Sequence, residues 1–164
     1  CVWQSRIWPG RVGNMTRWEF CQNRATPEDI VVYFNQCDPL FIASITDVIA
    51  LQDYAQKIVA RAWRSEAWQN NTLSGLVAAY YNAQRQQGFI TNVSVLPDAQ
   101  YCGMGSQLLI QSIAHLHSQG VTEINLEVDK NNVSAQRLYL KHGFTFGIAN
   151  GSKITMTLQS EITT

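Results

Sequence analysis

Two glycines one residue apart, Gly103 and Gly105, separate an apolar run from an amphipathic one. The run Asn92-Val93-Ser94-Val95-Leu96 stops at Pro97. The loop Gln100-Tyr101-Cys102-Gly103-Met104-Gly105 follows, and Ser106-Gln107-Leu108-Leu109-Ile110 opens helical spacing at once. A strand feeding a glycine loop and then a helix start stacks backbone N–H groups at the positive end of a helix dipole. The chemistry expected of such a loop is phosphate binding. Two common phosphate loops are excluded. A dinucleotide fingerprint needs glycine at 108, where Leu108 stands, and a Walker A needs Gly-Lys-Ser/Thr, which occurs nowhere. What remains is Gln-x-x-Gly-x-Gly.

The bulk composition narrows the class. With 164 residues, 46% of them hydrophobic and 15% charged, one globular domain with a real core is expected. Lys plus Arg and Asp plus Glu both total 12, so the chain is formally neutral, which disfavours a nucleic-acid partner. No apolar run approaches the ~18 residues of a membrane span. Cys1, Cys21, Cys37 and Cys102 show no metal-ligand spacing, and three histidines make a zinc site unexpected. The start does not read as a signal peptide, and reduced thiols in a cytoplasm are the expectation. Strand-like sequence follows Met15 directly, so residues 1–14 are expected to be an N-terminal arm or a foreign segment, with the domain at 15–164.

The elements that must position the loop follow from local signals. Thr26-Pro27-Glu28-Asp29 reads as a helix start, Ile30 and Phe34 as its apolar face, and Asp38-Pro39 as its end. Ser44-Ile45-Thr46-Asp47 repeats the start signal, and Leu51, Ala55, Ile58 and Ala62 recur at helical spacing. Two strand-like runs flank Asn70-Asn71. Phe89, Thr91, Val93 and Val95 alternate as one row of a strand. A helix from about 104 shows Leu109, Ile113 and Leu116 on one face, and Gly120 closes it. Ile124, Leu126 and Val128 mark the next strand. Asn132 caps a short helix with Ala135, Leu138, Tyr139 and His142 on one face and Gly143 as its stop. Asn150-Gly151 is a two-residue hairpin turn. The order predicted is β–α–α–β–β–β–α–β–α–β–β. Strand 89–95, helix 104–119 and strand 123–128 form a βαβ unit, so those two strands are expected to be parallel within an otherwise antiparallel mixed sheet.

The second motif reads Asn132-Val133-Ser134-Ala135-Gln136-Arg137-Leu138-Tyr139-Leu140-Lys141-His142-Gly143-Phe144. Together with the glycine loop, it resembles the GCN5-related N-acetyltransferases over residues 17–158, matching Asn-x-x-Ala-x-x-Leu-Tyr-x-Lys-x-Gly-Phe at each fixed position. The resemblance implies an α/β (α+β) single domain, its central parallel pair splayed around acetyl-CoA, with helices on both faces. It also implies that backbone groups of Val93, Ser94 and Val95 meet the pantetheine. The pyrophosphate then rests on N–H groups of Gln100, Tyr101, Cys102, Gly103, Met104, Gly105 and Ser106, with Asn132 and Tyr139 closing the site. Glycine at 103 and 105 lets the phosphate reach the backbone, which a β-carbon would prevent. Many members carry arginine and lysine in the loop; Gln100 and Cys102 stand there here, so fixed positive charge is missing.

Acetyl transfer to an amine needs a base for the ammonium, a donor for the oxyanion and a proton for the leaving thiolate. Glu127 lies on its strand opposite the row Ile124, Leu126 and Val128. Members acting on protein N-termini show a similar Glu-Val…Leu-Tyr arrangement, which implies Glu127 as base and Tyr139 as acid. Among weaker candidates, Trp63, Trp68, Tyr80 and Tyr81 could line an acceptor pocket, and Glu66 and Asp47 could attract a cationic amine. His117 is explained by the helix dipole. The expected function is transfer of the acetyl group from acetyl-CoA to a primary amine, of a small molecule such as an amino sugar, by direct attack in a ternary complex. A protein or peptide amine is the alternative acceptor. A non-catalytic CoA-binding module and a toxin-like enzyme acting on aminoacyl-tRNA are further readings, the last disfavoured by the neutral charge. No metal is expected, and homodimerisation is a habit of the family.

Overall fold

The computed structural model describes residues 2–5, 17–37, 50–100 and 103–160. Among them the order is β1 (Val2–Ser5), β2 (Arg17–Gln22), α1 (Pro27–Asn35), α2 (Leu51–Arg61), β3 (Trp63–Gln69), β4 (Thr72–Asn82), β5 (Gln87–Val95), a 3-10 turn (Pro97–Ala99), α3 (Met104–Ser118), β6 (Glu123–Asp129), α4 (Val133–Lys141), β7 (Thr145–Asn150) and β8 (Lys153–Gln159). The strands make one sheet in the order β1-β2-β3-β4-β5-β6-β8-β7. Every pairing is antiparallel except β5 with β6. The mixed sheet and its single parallel pair are those expected. Strand β1 had no signal in the sequence, and it pairs Val2 with Phe20 through Ser5 with Arg17. The helix start at Ser44–Asp47 and the stop at Asp38-Pro39 fall outside the described residues.

Local chemistry explains most of the boundaries. Thr26 and Asp29 form a reciprocal capping box: the Thr26 hydroxyl accepts from the Asp29 N–H at 3.2 Å, and the Asp29 carboxylate accepts from the Thr26 N–H at 2.9 Å. Asn70 and Asn71 carry φ of 49° and 58°, the left-handed pair of a tight hairpin, which asparagine tolerates better than most residues. Asn132 caps α4 through its side-chain oxygen, which accepts from the Ala135 N–H at 3.1 Å.

Helices cover both faces of the sheet. On one, Ile30, Tyr33 and Phe34 of α1 and Ala55 and Ile58 of α2 bury Leu76 and Ala78. On the other, Leu108, Leu109 and Leu116 of α3 pack with Ile124, Leu126 and Val128 of β6, Tyr139, Phe144 and Met156. Helix α3 lies close over β4 because residue 75 is glycine. A β-carbon there would stand 2.8 Å from Leu108 Cδ1 and 2.9 Å from Met104 Sδ, so those two side chains would have to shift.

Candidate active site

The site begins with a break in the parallel pair. β5 and β6 pair from Gln87–Glu123 to Ile90–Leu126 and no further. On its other edge β5 stays paired with β4 as far as Val95 opposite Gly75, but the register slips: Ala79 faces Ile90 and Ala78 faces Asn92, leaving Thr91 as an extra residue. A bulge of this kind sharpens the local twist and bends the strand away from its neighbour. The expected row Phe89, Thr91, Val93 and Val95 is therefore broken. Ile90, Val93 and Val95 pack toward α3. The Thr91 backbone and hydroxyl oxygens instead lie 3.1 and 3.2 Å from the Tyr54 hydroxyl of α2, which donates to the former.

Beyond Ile90 the edge of β5 that faces β6 has no strand partner among the described residues. The Leu96 N–H donates to the Ser74 carbonyl at 2.9 Å, so position 96 faces β4. Because backbone groups alternate in direction along a strand, Ser94 and Asn92 face β4 as well, and Val93 and Val95 turn their N–H and C=O groups into the gap. Ser94 is engaged by its side chain: it accepts from the Tyr33 hydroxyl at 2.9 Å and donates to Asn92 Oδ1 at 2.8 Å.

Helix α3 opens at the end of this gap. Its N-cap is Gly103, at φ 70°, with no side-chain cap bond, and the first helical bond runs from the Gln107 N–H to the Gly103 carbonyl. The N–H groups of residues 103 to 106 thus have no acceptor within the helix, a set of donors suited to an anion. Tyr101 and Cys102 lie outside the described residues. A β-carbon on Gly105 would meet Val95 Cγ2 and Leu138 Cδ2, each at 3.7 Å. The end of β5, the first turn of α3 and α4 therefore converge on Gly105. The Ser106 hydroxyl also lies 2.6 Å from Nε2 of His142, just past α4.

The two residues implied as acid and base take opposite faces of the sheet. Tyr139 is 6% exposed in the α3-side core, its ring 5.8 Å from that of Phe144. Its hydroxyl makes no hydrogen bond among the described residues, and burial raises its pKa to about 12. Glu127 lies opposite Thr155 of β8, one residue past the last parallel pair. It is exposed, has no ion pair among the described residues, and sits on the α1–α2 face, away from Leu126 and Val128.

Other candidates find structural uses. Glu66 is fully buried rather than free to attract an amine. It accepts from Arg64 Nε, the Arg24 and Ala25 N–H groups and the Trp68 indole, all at 3.0 to 3.1 Å. Trp68 is core. Trp63 stacks on His115 with centroids 4.1 Å apart. Asp47 lies outside the described residues. Sequence reasoning missed the bulge at Thr91, the Glu66 cluster and the Ser106–His142 contact.

Comparison with known proteins decides the family. The family model "Acetyltransferase (GNAT) family" matches residues 18–144. This chain belongs to the GNAT family. A mycothiol acetyltransferase of Paenarthrobacter aurescens is 42% identical over 57 residues, 35% of this chain and 18% of that protein. The ribosomal protein bS18-alanine N-acetyltransferase of Escherichia coli is 31% identical over 111 residues, 60% of this chain and 75% of that one. The fold of this GNAT chain matches the crystal structure of PaiA N-acetyltransferase from Thermoplasma acidophilum in complex with coenzyme A. There the TM-score is 0.70 at 16% identity, covering 87% of this chain and 99% of the other. Against the mycothiol acetyltransferases that it matches, the GNAT chain spans no more than a fifth of their length.

Proposed function

We propose that this GNAT protein transfers the acetyl group of acetyl-CoA to a primary amine by direct attack within a ternary complex. One observation carries the reading: the parallel pair parts after Ile90–Leu126, and the gap ends at the uncapped first turn of α3. A long cofactor with an anionic diphosphate and an amide-bearing arm fits that combination. Its diphosphate would take the N–H groups from Gly103 to Ser106, with Gln100 before them, and its arm would pair with Val93 and Val95. Acetyl-CoA supplies an acetyl group activated as a thioester.

The residues of the chain divide the remaining work. Glu127, on the α1–α2 face, takes a proton from the incoming ammonium, directly or through water. A backbone N–H of β5 facing the gap polarises the thioester carbonyl. Tyr139, on the opposite face, gives its proton to the leaving thiolate. Burial pushes the phenol's pKa up to about 12, so it holds its proton at physiological pH until the thiolate forms beside it. Acid and base on opposite sides let the amine enter from one face while the thiol leaves toward the other.

For the acceptor, we infer the α-amine of a peptide chain. The support is the relative of which this chain covers 75%, an alanine N-acetyltransferase by name, together with the Glu127-Val128…Leu138-Tyr139 arrangement. A small-molecule amine is the second reading, favoured by the shorter but more identical match to the mycothiol enzymes. Thiol release measured with alanyl-, seryl- and methionyl-peptides beside amino sugars and polyamines separates the two. Turnover with peptides alone upholds the first reading, and turnover with small amines alone replaces it.

A further inference from the structure

The anion site has no fixed positive charge: from Val95 to Gln107 the one charged side chain is Asp98. The structure brings an ionisable group to it from elsewhere. The C-cap of α4 sets the His142 ring against the first turn of α3, with Nε2 2.6 Å from the Ser106 hydroxyl. Ser106 carries one of the open N–H groups of that turn. We propose that His142 is a positioning residue of the diphosphate site, controlling the Ser106 hydroxyl and adding one positive charge to the site when its ring is protonated. This rests on the reading of the loop as the acetyl-CoA diphosphate site.

The direction of the hydrogen bond depends on the charge of the ring. With the ring neutral and its proton on Nδ1, Nε2 can only accept, so the Ser106 hydroxyl spends its proton on the ring. With the ring protonated, Nε2–H donates to the hydroxyl oxygen. The serine proton is then free for a phosphate oxygen, and the imidazolium stands one hydroxyl away from the anion. Burial and then the positive charge of Lys141 hold the His142 pKa below the usual histidine value, which favours the neutral ring in the free protein. The charges on neighbouring elements are Asp98 on the 3-10 turn, Arg137 and Lys141 on α4, Glu123, Glu127 and Asp129 on β6, and Lys153 at the far end of β8. The first turn of α3, the end of β5 and β7 carry none. A bound diphosphate favours the charged ring, so binding should take up a proton and tighten as pH falls.

The test uses dephospho-CoA, which lacks the 3′-phosphate, so the ligand has no group of its own titrating between pH 5 and 8. Calorimetry of the wild-type protein should show about a tenfold tighter affinity at pH 5 than at pH 8, the change equivalent to a one-unit rise in ring pKa. His142→Gln keeps an amide beside Ser106 but cannot titrate, and should bind with the wild-type affinity of pH 8 at every pH. As a measurement free of any variant, the Cε1–H resonance of His142 should titrate at higher pH with dephospho-CoA bound. Wild-type affinity that does not change with pH, a pH dependence surviving in His142→Gln, or an unshifted resonance overturns the inference while leaving the loop assignment standing. No binding by the wild type at any pH overturns both.

Discussion

Ile90 stands opposite Leu126 as the last pair of the only parallel ladder among the described residues, and one position later Thr91 has no partner on β4. The loss of pairing on one side and the slip on the other are adjacent. A bulge adds twist, and twist applied where β6 provides no further restraint carries the end of β5 away from its neighbour. The gap beside Val93 and Val95 is thus a product of strand geometry. It sits where the uncapped turn of α3 begins.

Gly105→Val should abolish acetyl-CoA binding and leave the fold largely intact. The first added carbon meets Val95 and Leu138 at ordinary contact distance, 3.7 Å, so packing tolerates it. The same side chain occupies the space against the open N–H groups. Calorimetry on the variant, with a thermal melt to confirm folding, checks this; a folded variant of unchanged affinity removes the loop from the site.

Tyr139→Phe should lower kcat by roughly 10²–10⁴-fold, the usual contribution of a positioned acid, with little change in melting temperature. Its hydroxyl makes no hydrogen bond among the described residues, so removing it strands no partner. In the wild type burial pushes the phenol's pKa up to about 12, so it is in its acid form at physiological pH and well above it. The rate profile should therefore show no alkaline limb from this residue below about pH 10. A loss of activity within a few-fold assigns the tyrosine to the core alone.

For Glu127→Gln, turnover should fall most at low pH, and the defect should shrink as pH rises. Once the solvent has deprotonated the amine, a carboxylate base has less to contribute. Rates of wild type and variant measured side by side from pH 6 to 10 read this directly. A constant ratio across that range identifies a glutamate with no base role.

Glu66→Ala should destabilise the fold by about 3–5 kcal/mol, the range for breaking a buried ion pair from one side. Arg64 would remain 3% exposed with its nearest anion gone, and the Trp68 indole and two backbone N–H groups would lose their acceptor. Urea unfolding measures it, and a cost under 1 kcal/mol would show that the cluster relaxes onto water.

Much of this architecture was legible in local signals. The Thr26–Asp29 box, the Asn70-Asn71 turn and the Asn132 cap are decided within four residues, and each stands where the residue types place it; the hairpin expected at Asn150-Gly151 turns one residue later, at Gly151-Ser152, because Asn150 pairs with Lys153. What stayed illegible depends on partners far along the chain. Phe89, Thr91, Val93 and Val95 alternate without fault, and only the register against Ala78 and Ala79 reveals that the row breaks. Glu66 reads as a strand acid with a wet face, because its partners Arg24 and Ala25 lie about forty residues earlier. Ser106 and His142 are 36 residues apart and belong to different motifs, so neither motif predicts their contact. Strand β1 lacks both alternation and turn signals and owes its extended form to pairing with β2.

Direct transfer in a ternary complex makes release of free CoA thiol depend on the acceptor amine, which a thiol assay with and without amine reads. Acetyl-CoA incubated with the protein alone should release no thiol above the rate of spontaneous hydrolysis. Addition of an accepted amine should start steady release equal, mole for mole, to the acetylated product. A stoichiometric burst of thiol before any amine is present would contradict direct attack, and no release with any peptide or small amine would contradict the enzyme itself.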